Sequence, residues 1–480
     1  MAWLDTLIRF WPHLVAVFTF LAAALASVHA LLNKRDSRAA VLWLGFIWLL
    51  PLFGPILYLS LGVNRVNRRV KPLRSQTHLA SPRAVPRDMG EFHIHEAQHL
   101  RTLSRAVENV TRRPLLPGNR VEPLINGDQA FPAMLEAIDA ATTSISLVTY
   151  IFDRDASGLE FADALARAVK RGVAVRVLID DAGARYSWPS ILPRLRRSGV
   201  TVGRFLPTFP LWHFMTMNLR NHRKALIVDG KTAFTGGMNI RHGNRLAAKP
   251  KHPVQDLHFC VEGPVVAQLQ EAFVNDWAFA THETLDGDAW FPALQDSGNV
   301  ISRVITDGPD SDLDKLRWAL LAALAGAQSS VQILTPYFLP DTALVTALNL
   351  ASLRGARVDI VLPSVNNLPY VHWASRAMWW QVLEHGCHLW LTPPPFDHSK
   401  LVVVDGHWVS IGSANWDPRS LRLNFELNVE CYGRELGRRM QSLVQQKLAH
   451  AREINLADAD ARSFPAKLRD ATARLFMPYL

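Results

Sequence analysis

Two stretches of the chain carry the same polar residues at the same spacing. The first runs from His222 to Asn239 and the second from His398 to Asn415. Each reads His-x-Lys-x-x-x-x-Asp, then six residues, then Gly-[Gly/Ser]-x-Asn, and no spacing differs between the copies. One such motif could arise by chance, whereas two copies with matching offsets indicate a duplicated half-site. The sequence therefore predicts one active site built from two similar domains.

The residue types in these motifs suit exchange at a phosphodiester. One imidazole, from His222 or His398, can attack phosphorus while the other gives a proton to the leaving oxygen. Positive charge and amide donors can hold the non-bridging phosphate oxygens, and the candidates are Lys224, Lys400, Asn239 and Asn415. This chemistry needs no metal and no cofactor, so we expect neither.

The acidic members of the motifs, Asp229 and Asp405, complete the catalytic signature. We nevertheless expect them to have a structural role, because each follows an apolar stretch, ALIV or LVVV, that predicts a short buried strand. The aspartate would end that strand and anchor the next turn. The following Gly-[Gly/Ser]-x-Asn predicts a tight turn where backbone can approach an anion.

The paired motifs resemble those of the phospholipase D superfamily, and within it those of the bacterial cardiolipin synthases. TPYFLPD at Thr335 to Asp341 and DPRSLRLNFELNVE at Asp417 to Glu430 are similar to cardiolipin synthase sequence in particular. The resemblance runs from about residue 10 to the C-terminus.

The resemblance also implies roles for individual residues. His222 would be the covalent nucleophile and His398 the acid and base, although the residues alone do not break this symmetry. Asp256 and Glu426 match the carboxylates that orient the histidines in the family, with His258 beside Asp256 as a competing polar group.

The two halves repeat beyond the motifs, which defines the fold class. SISLVTYIF pairs with SVQILTPYF, KRGVAVRVLID with LRGARVDIVLP, and LRRSGVTV with VLEHGCHL. Each half reads strand, helix, strand, helix, strand and then the motif strand, which predicts a mostly parallel sheet covered by helices. We expect an α/β protein with two tandem phospholipase D-like αβα sandwich domains, at 116–295 and 296–480, forming one active site.

A transmembrane hairpin is predicted at residues 1–62. Two apolar runs predict helices at about 13–32 and 39–61, each long enough to span a bilayer. A cleaved signal peptide is the competing interpretation, although a second apolar run follows after only six residues. Two spans predict a multi-pass protein, and the basic residues flanking them favour cytoplasmic catalytic domains. The resemblance to bacterial cardiolipin synthases implies that the membrane is the bacterial inner membrane.

Residues 63–115 are predicted to form a basic linker and an amphipathic helix. His95, Glu96 and His99 form H-E-x-x-H there, which is the spacing of a zinc protease. No third ligand is marked downstream, so we interpret them as a polar helix face. The cysteines Cys260, Cys387 and Cys431 are scattered and read as buried small hydrophobes.

The halves differ directly before the first motif. From the repeat glycine to the motif histidine, Gly199 to His222 spans 23 residues and Gly386 to His398 spans 12. The extra stretch, Pro207 to Asn221, is apolar and holds Trp212 and Phe214. It could pack as additional core or form a lip that dips into the membrane interface.

The function expected from these features is cardiolipin synthesis by phosphatidyl transfer between two phosphatidylglycerol molecules. The net charge of +10 suits phosphatidylglycerol and other anionic membrane lipids as partners. A hydrolytic phospholipase D, or another phosphatidyltransferase, would use a different acceptor. A nuclease fits the motifs and the charge but leaves the hairpin unexplained, so no nucleic-acid partner is expected. Two complete half-sites disfavour an inactive scaffold.

Overall fold

The structure is a computed structural model that describes residues 2–34, 37–63, 95–207 and 218–477. The chain forms two compact units, residues 1–67 with 206–219, and residues 68–205 with 220–480. Most of the basic linker, including His93, lies outside the described residues, as do Trp212 and Phe214 of the predicted lip.

The N-terminal unit contains three helices, α1 (Ala2–Asn33), α2 (Ser37–Leu49) and α3 (Gly54–Leu57), and a π-helical turn, Tyr58–Gly62. The single helix predicted at 39–61 is therefore interrupted after Leu49. Pro51 lacks the N–H that a continuing helix needs, so the chain turns and the helix restarts at Gly54. In this unit the His29 Nδ1 and Tyr58 hydroxyl are 2.8 Å apart.

The surface of this unit is apolar. Phe18, Leu25, Leu32 and Leu49 are all more than two-thirds exposed, as expected for side chains that face lipid rather than water. Among the described residues, Phe10–Asn33 is the one helical stretch both long and apolar enough to cross a bilayer, and Ala39–Leu49 is shorter. The region is thus suited to membrane association.

The larger unit contains the remaining helices. They are α4 (Arg101–Thr111), α5 (Asn126–Ala140), α6 (Ala156–Lys170), α7 (Leu192–Arg197), α8 (Val266–Thr281), α9 (Lys315–Gly326), α10 (Thr342–Leu353), α11 (Pro369–Arg376), α12 (Trp380–Leu383), α13 (Arg434–Leu448), α14 (Leu456–Asp460) and α15 (Phe464–Leu475). Two equivalent helices have acidic N-caps. The Asp155 side chain accepts from Gly158 N before α6, and Asp341 accepts from Leu344 N before α10.

The strands of the first half are β1 (Leu116–Ile125), β2 (Ser144–Thr149), β3 (Ala174–Asp180), β4 (Thr201–Phe205), β5 (Arg220–Asn221), β6 (Ala225–Val228), β7 (Thr232–Gly236), β8 (Val254–Gln255) and β9 (Leu257–Glu262). Those of the second half are β10 (Val300–Asp307), β11 (Ser330–Leu334), β12 (Arg357–Pro363), β13 (His388–Thr392), β14 (Phe396–Asp397), β15 (Leu401–Val404), β16 (Trp408–Gly412), β17 (Asn424–Tyr432) and β18 (Arg452–Ile454). The strand, helix, strand, helix, strand order predicted before each motif strand is confirmed.

One sheet runs through both halves. Its order among the described strands is β18-β13-β12-β11-β15-β16-β17-β10-β1-β9-β7-β6-β2-β3-β4, with β5 attached to β17. Outward from β1 and β10, which pair antiparallel, the two halves have the same order as far as β4 and β13, and the second half adds β18. The two halves are therefore related by an approximate twofold axis between these central strands.

The prediction of a mostly parallel sheet is wrong. Along the main path of the sheet only β2-β3-β4 and β11-β12-β13 are parallel, and the attached strand β5 is parallel to β17. The motif strands β6 and β15 run antiparallel to β2 and β11, and the strands from there to the centre are antiparallel too. A helical crossover determines the relative direction of only the two strands that it connects, so the strand–helix pattern does not predict the direction of the other strands.

Helices cover both faces of the sheet. Ile145 and Leu147 of β2 lie in one core cluster with Phe131 of α5 and Phe161 of α6. Ser146, between them, points to the opposite face because strand side chains alternate, and its Oγ accepts from Gln270 of α8 at 3.0 Å. The first half is thus an αβα sandwich, as predicted.

Candidate active site

Each motif histidine is introduced by a short strand that pairs with the other half of the molecule. β5, before His222, runs parallel to β17, and β14, before His398, runs parallel to β8. The pairing continues into the histidines themselves. His222 N–H donates to Phe425 C=O at 2.9 Å, and His398 N–H donates to Gln255 C=O at 2.8 Å.

This pairing places the carboxylate of each half beside the histidine of the other. Glu426 follows Phe425, and its Oε1 lies 3.0 Å from His222 Nδ1. Asp256 follows Gln255, and its Oδ2 lies 2.8 Å from His398 Nδ1. The two half-sites are thus exchanged, because neither histidine is oriented by its own domain.

Each carboxylate determines which nitrogen of its histidine ring is free to face the cleft. A carboxylate beside Nδ1 favours the tautomer in which Nδ1–H donates to it, so Nε2 carries the free lone pair. Burial would raise the pKa of Glu426, but His222, Lys224 and the Ser413 hydroxyl together outweigh burial and the pKa is lowered. Glu426 is therefore an ionised acceptor that holds the His222 ring.

Burial controls the protonation of the other groups. Burial lowers the pKa of His222, and it lowers the pKa of His398 well below its usual value. The positive charges of the nearby lysines lower the pKa of His398 further. Burial raises the pKa of Asp256 to about 7, with Lys400 opposing it. Both imidazoles are therefore neutral at pH 7 without substrate, and one can act as a nucleophile.

The motif lysines lie beneath the histidines. Lys224 Nζ donates to His222 C=O at 2.7 Å, and Lys400 Nζ donates to His398 C=O. Burial lowers the pKa of Lys224 to about 7 and that of Lys400 to about 8. An anion in the cleft would stabilise the charged form of both amines, so they are suited to electrostatic stabilisation of a phosphate.

The turn after each motif makes close contact with the exchanged carboxylates. A Cβ on Gly237 would lie 2.2 Å from Asp256 Oδ1, so no larger residue fits there. At the equivalent position, Ser413 instead donates its hydroxyl to Glu426. His258, the competing polar group beside Asp256, is buried near Gly236, and burial lowers its pKa to about 4.

The two asparagines line the cleft between the histidines. Asn239 Oδ1 accepts from Ile151 N–H at 3.0 Å, which leaves its NH₂ group for another acceptor. Asn415 Nδ2 donates to Ser420 Oγ at 3.2 Å, and its Oδ1 has no protein partner among the described residues.

Asp229 and Asp405 lie at the far ends of β6 and β15, roughly 16 Å of strand from the lysines. The Asp229 carboxylate accepts from the backbone N–H groups of 142–144, and Asp405 accepts from those of 328–330. Burial favours a raised pKa in each, but these donors outweigh it and both pKa values are lowered. The structure does not bring either aspartate to the histidines; each anchors a turn.

The H-E-x-x-H sequence contributes to that second anchor. His99 Nε2 lies 2.7 Å from Asp405 Oδ2, whereas the side chains of His95 and Glu96 lie outside the described residues. Within the described part of the chain, no group of His, Cys, Asp and Glu side chains is arranged to hold a metal ion. The three cysteines are unpaired thiols, with Cys387 and Cys431 buried and Cys260 half-buried.

A single cleft of about 700 Å³ brings the two half-sites together. His222, His398, Asn239 and Asn415 all line it. Two tyrosines flank the imidazoles, with ring centroids 5.3 Å apart for Tyr150 and His222, and 6.3 Å apart for Tyr337 and His398.

Sequence reasoning missed several residues that line this cleft. Tyr337 and Arg419 fall in stretches that we singled out for their resemblance to cardiolipin synthases, so a signal was present. Tyr150 lies in a repeated strand segment, but nothing in the repeat marks it. Nothing in the repeat marks Arg220 as a cleft residue, because its equivalent in the other half is Phe396.

Comparison with known proteins shows the family of the chain. The family model described as "Cardiolipin synthase, PLD-like domain" matches residues 134–277 and 320–448, and a phospholipase D-nuclease N-terminal model matches 21–62. The chain belongs to the cardiolipin synthase family of the phospholipase D superfamily.

Members of this family match over nearly their whole length. The cardiolipin synthase of Oceanobacillus iheyensis is 30% identical, over 95% of this chain and 97% of its own. The major cardiolipin synthase of Bacillus subtilis (strain 168) is 30% identical, over 97% of this chain and 99% of its own.

A solved structure supports the fold. Phosphatidylserine synthase from Haemophilus influenzae matches 79% of this chain and 100% of its own with a TM-score of 0.61 and 16% identity. This likeness shows that the two chains share a fold.

Proposed function

We propose that this protein is a cardiolipin synthase, which transfers the phosphatidyl group of one phosphatidylglycerol to a second and releases glycerol. One observation carries the proposal: two histidines, one from each half, face a single cleft while each is held by a carboxylate of the other half. Phosphatidyl transfer through a covalent intermediate needs a nucleophile and a proton donor for the leaving oxygen, and the two histidines can supply both.

In the first step, Nε2 of His222 attacks the phosphorus of the donor phosphatidylglycerol. The new P–N bond forms as the P–O bond to glycerol breaks, and the leaving oxygen takes a proton from His398. Negative charge on the substrate favours the protonated form of His398, which the free enzyme holds neutral. Lys224, Lys400, Asn239 and Asn415 stabilise the non-bridging oxygens.

In the second step, the reaction runs in reverse with a different alcohol. His398, now neutral, takes the proton from a hydroxyl of the second phosphatidylglycerol. That oxygen attacks phosphorus, the P–N bond breaks, and cardiolipin leaves with His222 restored. Glu426 and Asp256 hold the two rings in line with the phosphorus and favour the Nδ1–H tautomer throughout.

The remaining assignments belong to the same proposal. The chain would be divided into a hairpin at 1–62, a linker at 63–115 and catalytic halves at 116–295 and 296–480. Both apolar runs would span the inner membrane, with the catalytic halves in the cytoplasm where basic flanking residues favour them. The substrates would be anionic phospholipids rather than nucleic acid.

The experiment that tests the function is incubation of the purified full-length protein with phosphatidylglycerol vesicles in EDTA. We expect cardiolipin and glycerol in equal amounts, because the lysines and asparagines provide the charge stabilisation that a metal would otherwise supply. Phosphatidic acid as the main lipid product would show a hydrolase instead. Activity lost in EDTA and restored by one divalent ion, on a soluble diester as well as on vesicles, would contradict the mechanism.

A further inference from the structure

The cleft carries charge that the duplication does not account for. Arg220 lines it two residues before His222, on the strand that pairs with the second half. The residue two before His398 is Phe396, which lines the same cleft and carries no charge. The first half therefore contributes a guanidinium that has no equivalent in the second.

A second arginine is also unmatched, and it comes from the other half. Arg419 lines the cleft four residues after Asn415, whereas the residue four after Asn239 is Gly243. The catalytic histidines, lysines and asparagines all occur in symmetric pairs. The two arginines thus add positive charge to the cleft that these symmetric pairs do not account for.

The two guanidinium groups are close enough to influence each other. Burial lowers the pKa of Arg419, and the positive charge of Arg220 lowers it further. Like charges held together in a partly desolvated place destabilise each other, and an anion between them removes that cost. The nearby carboxylates of Asp180 and Asp417 offset part of this positive charge, and they also accept from the backbone N–H groups of Asn221 and Ser420.

The reaction requires a place for a second phosphate. The donor lipid brings one phosphate, and that phosphate occupies the symmetric centre. An acceptor phosphatidylglycerol brings another, three carbons from its attacking hydroxyl, whereas water and glycerol bring none. Arginine pairs can bind a phosphodiester through several charged hydrogen bonds, so a guanidinium pair beside the centre matches this second group.

We propose that Arg220 and Arg419 bind the phosphate of the acceptor phospholipid and so select a phospholipid over glycerol as acceptor. The inference rests on the proposed function. It assigns the two arginines to acceptor selection rather than to formation of the covalent intermediate.

The test compares two acceptors that compete for the same phosphatidyl-enzyme. Phosphatidylglycerol vesicles are supplied with labelled free glycerol, so that transfer to lipid gives cardiolipin and transfer to glycerol gives labelled phosphatidylglycerol. Replacement of either arginine, as Arg220→Gln or Arg419→Gln, should lower the ratio of cardiolipin to labelled lipid by about tenfold to a hundredfold. Arg419→Lys keeps the charge and should recover part of the ratio.

The matched control is Arg241→Gln, because Arg241 also lines the cleft, lies 3.0 Å from Asp153 and is not assigned to the acceptor phosphate. This variant should change the rate of transfer to lipid and the rate of transfer to glycerol by one common factor, so the product ratio stays the same. An unchanged ratio of cardiolipin to labelled lipid in the Arg220 and Arg419 variants would overturn the inference. Labelled phosphatidylglycerol without any cardiolipin from the unaltered protein would instead contradict the proposed function.

A second measurement needs no variant, and it applies even if the glutamine variants do not fold. Glycerol 1-phosphate and glycerol are offered to the unaltered protein at equal concentration, with phosphatidylglycerol as donor. The phosphorylated alcohol should be the preferred acceptor, because it alone brings an anion for the two arginines. Equal use of both alcohols would overturn the inference.

Discussion

Replacement of either histidine, as His222→Ala or His398→Ala, should lower cardiolipin formation by roughly 10³–10⁶-fold. The nucleophile and the acid–base group act on one phosphorus, so loss of either stops the exchange. For the same reason the double variant should be little worse than either single variant. Initial rates on phosphatidylglycerol vesicles, with circular dichroism to verify folding, measure the effect.

A matched control is His450→Ala, since His450 is exposed and does not line the cleft with His222 and His398. It should keep the rate of the unaltered protein. Losses that multiply in the double variant would mean that the two histidines act in separate places, and the single exchanged centre would be wrong.

Neutral replacement of the orienting carboxylates should have the second largest effect, a loss of about 10²–10⁴-fold for Glu426→Gln or Asp256→Asn. Each amide keeps the shape of the side chain but no longer stabilises a positive imidazole, and it can favour the wrong tautomer. Because the pairs are exchanged, Glu426→Gln acts on His222 although the two lie in different halves. Steady-state rates and the pH profile of each variant measure this.

The pH profile distinguishes the two carboxylates. The pKa of Asp256 is raised to about 7, so its carboxylate is present above that pH and is lost as the pH falls through about 7. The unaltered protein should therefore lose kcat/KM on the acid side of neutrality, and Asp256→Asn should lack that limb. Glu426, whose pKa is lowered, should keep its charge over this range, so Glu426→Gln should retain the limb. An acid limb that persists in Asp256→Asn would assign it to another group.

The sequence predicted the parts of the site that local patterns encode. The apolar stretches before Asp229 and Asp405 form the buried strands β6 and β15, and this feature depends on residues close in the chain. The aspartates are structural, as expected, but they bind the backbone of 142–144 and 328–330, far earlier in the chain, rather than the turn that follows. The order of strands and helices before each motif was also predictable from residues close in the chain.

The exchange of carboxylates between halves could not be predicted from these patterns. It depends on β5 pairing with β17 and on β14 pairing with β8, and strand register between distant segments has no local signal. The prediction of a mostly parallel sheet was wrong for a similar reason, because the strand–helix pattern does not show that the motif strand pairs antiparallel with its neighbour. Pro51 lies within the second apolar run, but whether a proline kinks or ends an apolar helix depends on its packing.

The most direct test of the account is to trap the covalent intermediate and map it. Rapid quench in denaturant at alkaline pH, after mixing the protein with phosphatidylglycerol labelled in its phosphate, should leave label on a histidine, stable to base and released by acid. Peptide mapping should place the label on His222, and His222→Ala should carry none. Label on His398 would reverse the roles of the two histidines, and rapid turnover with no label on either would contradict the phosphohistidine mechanism itself.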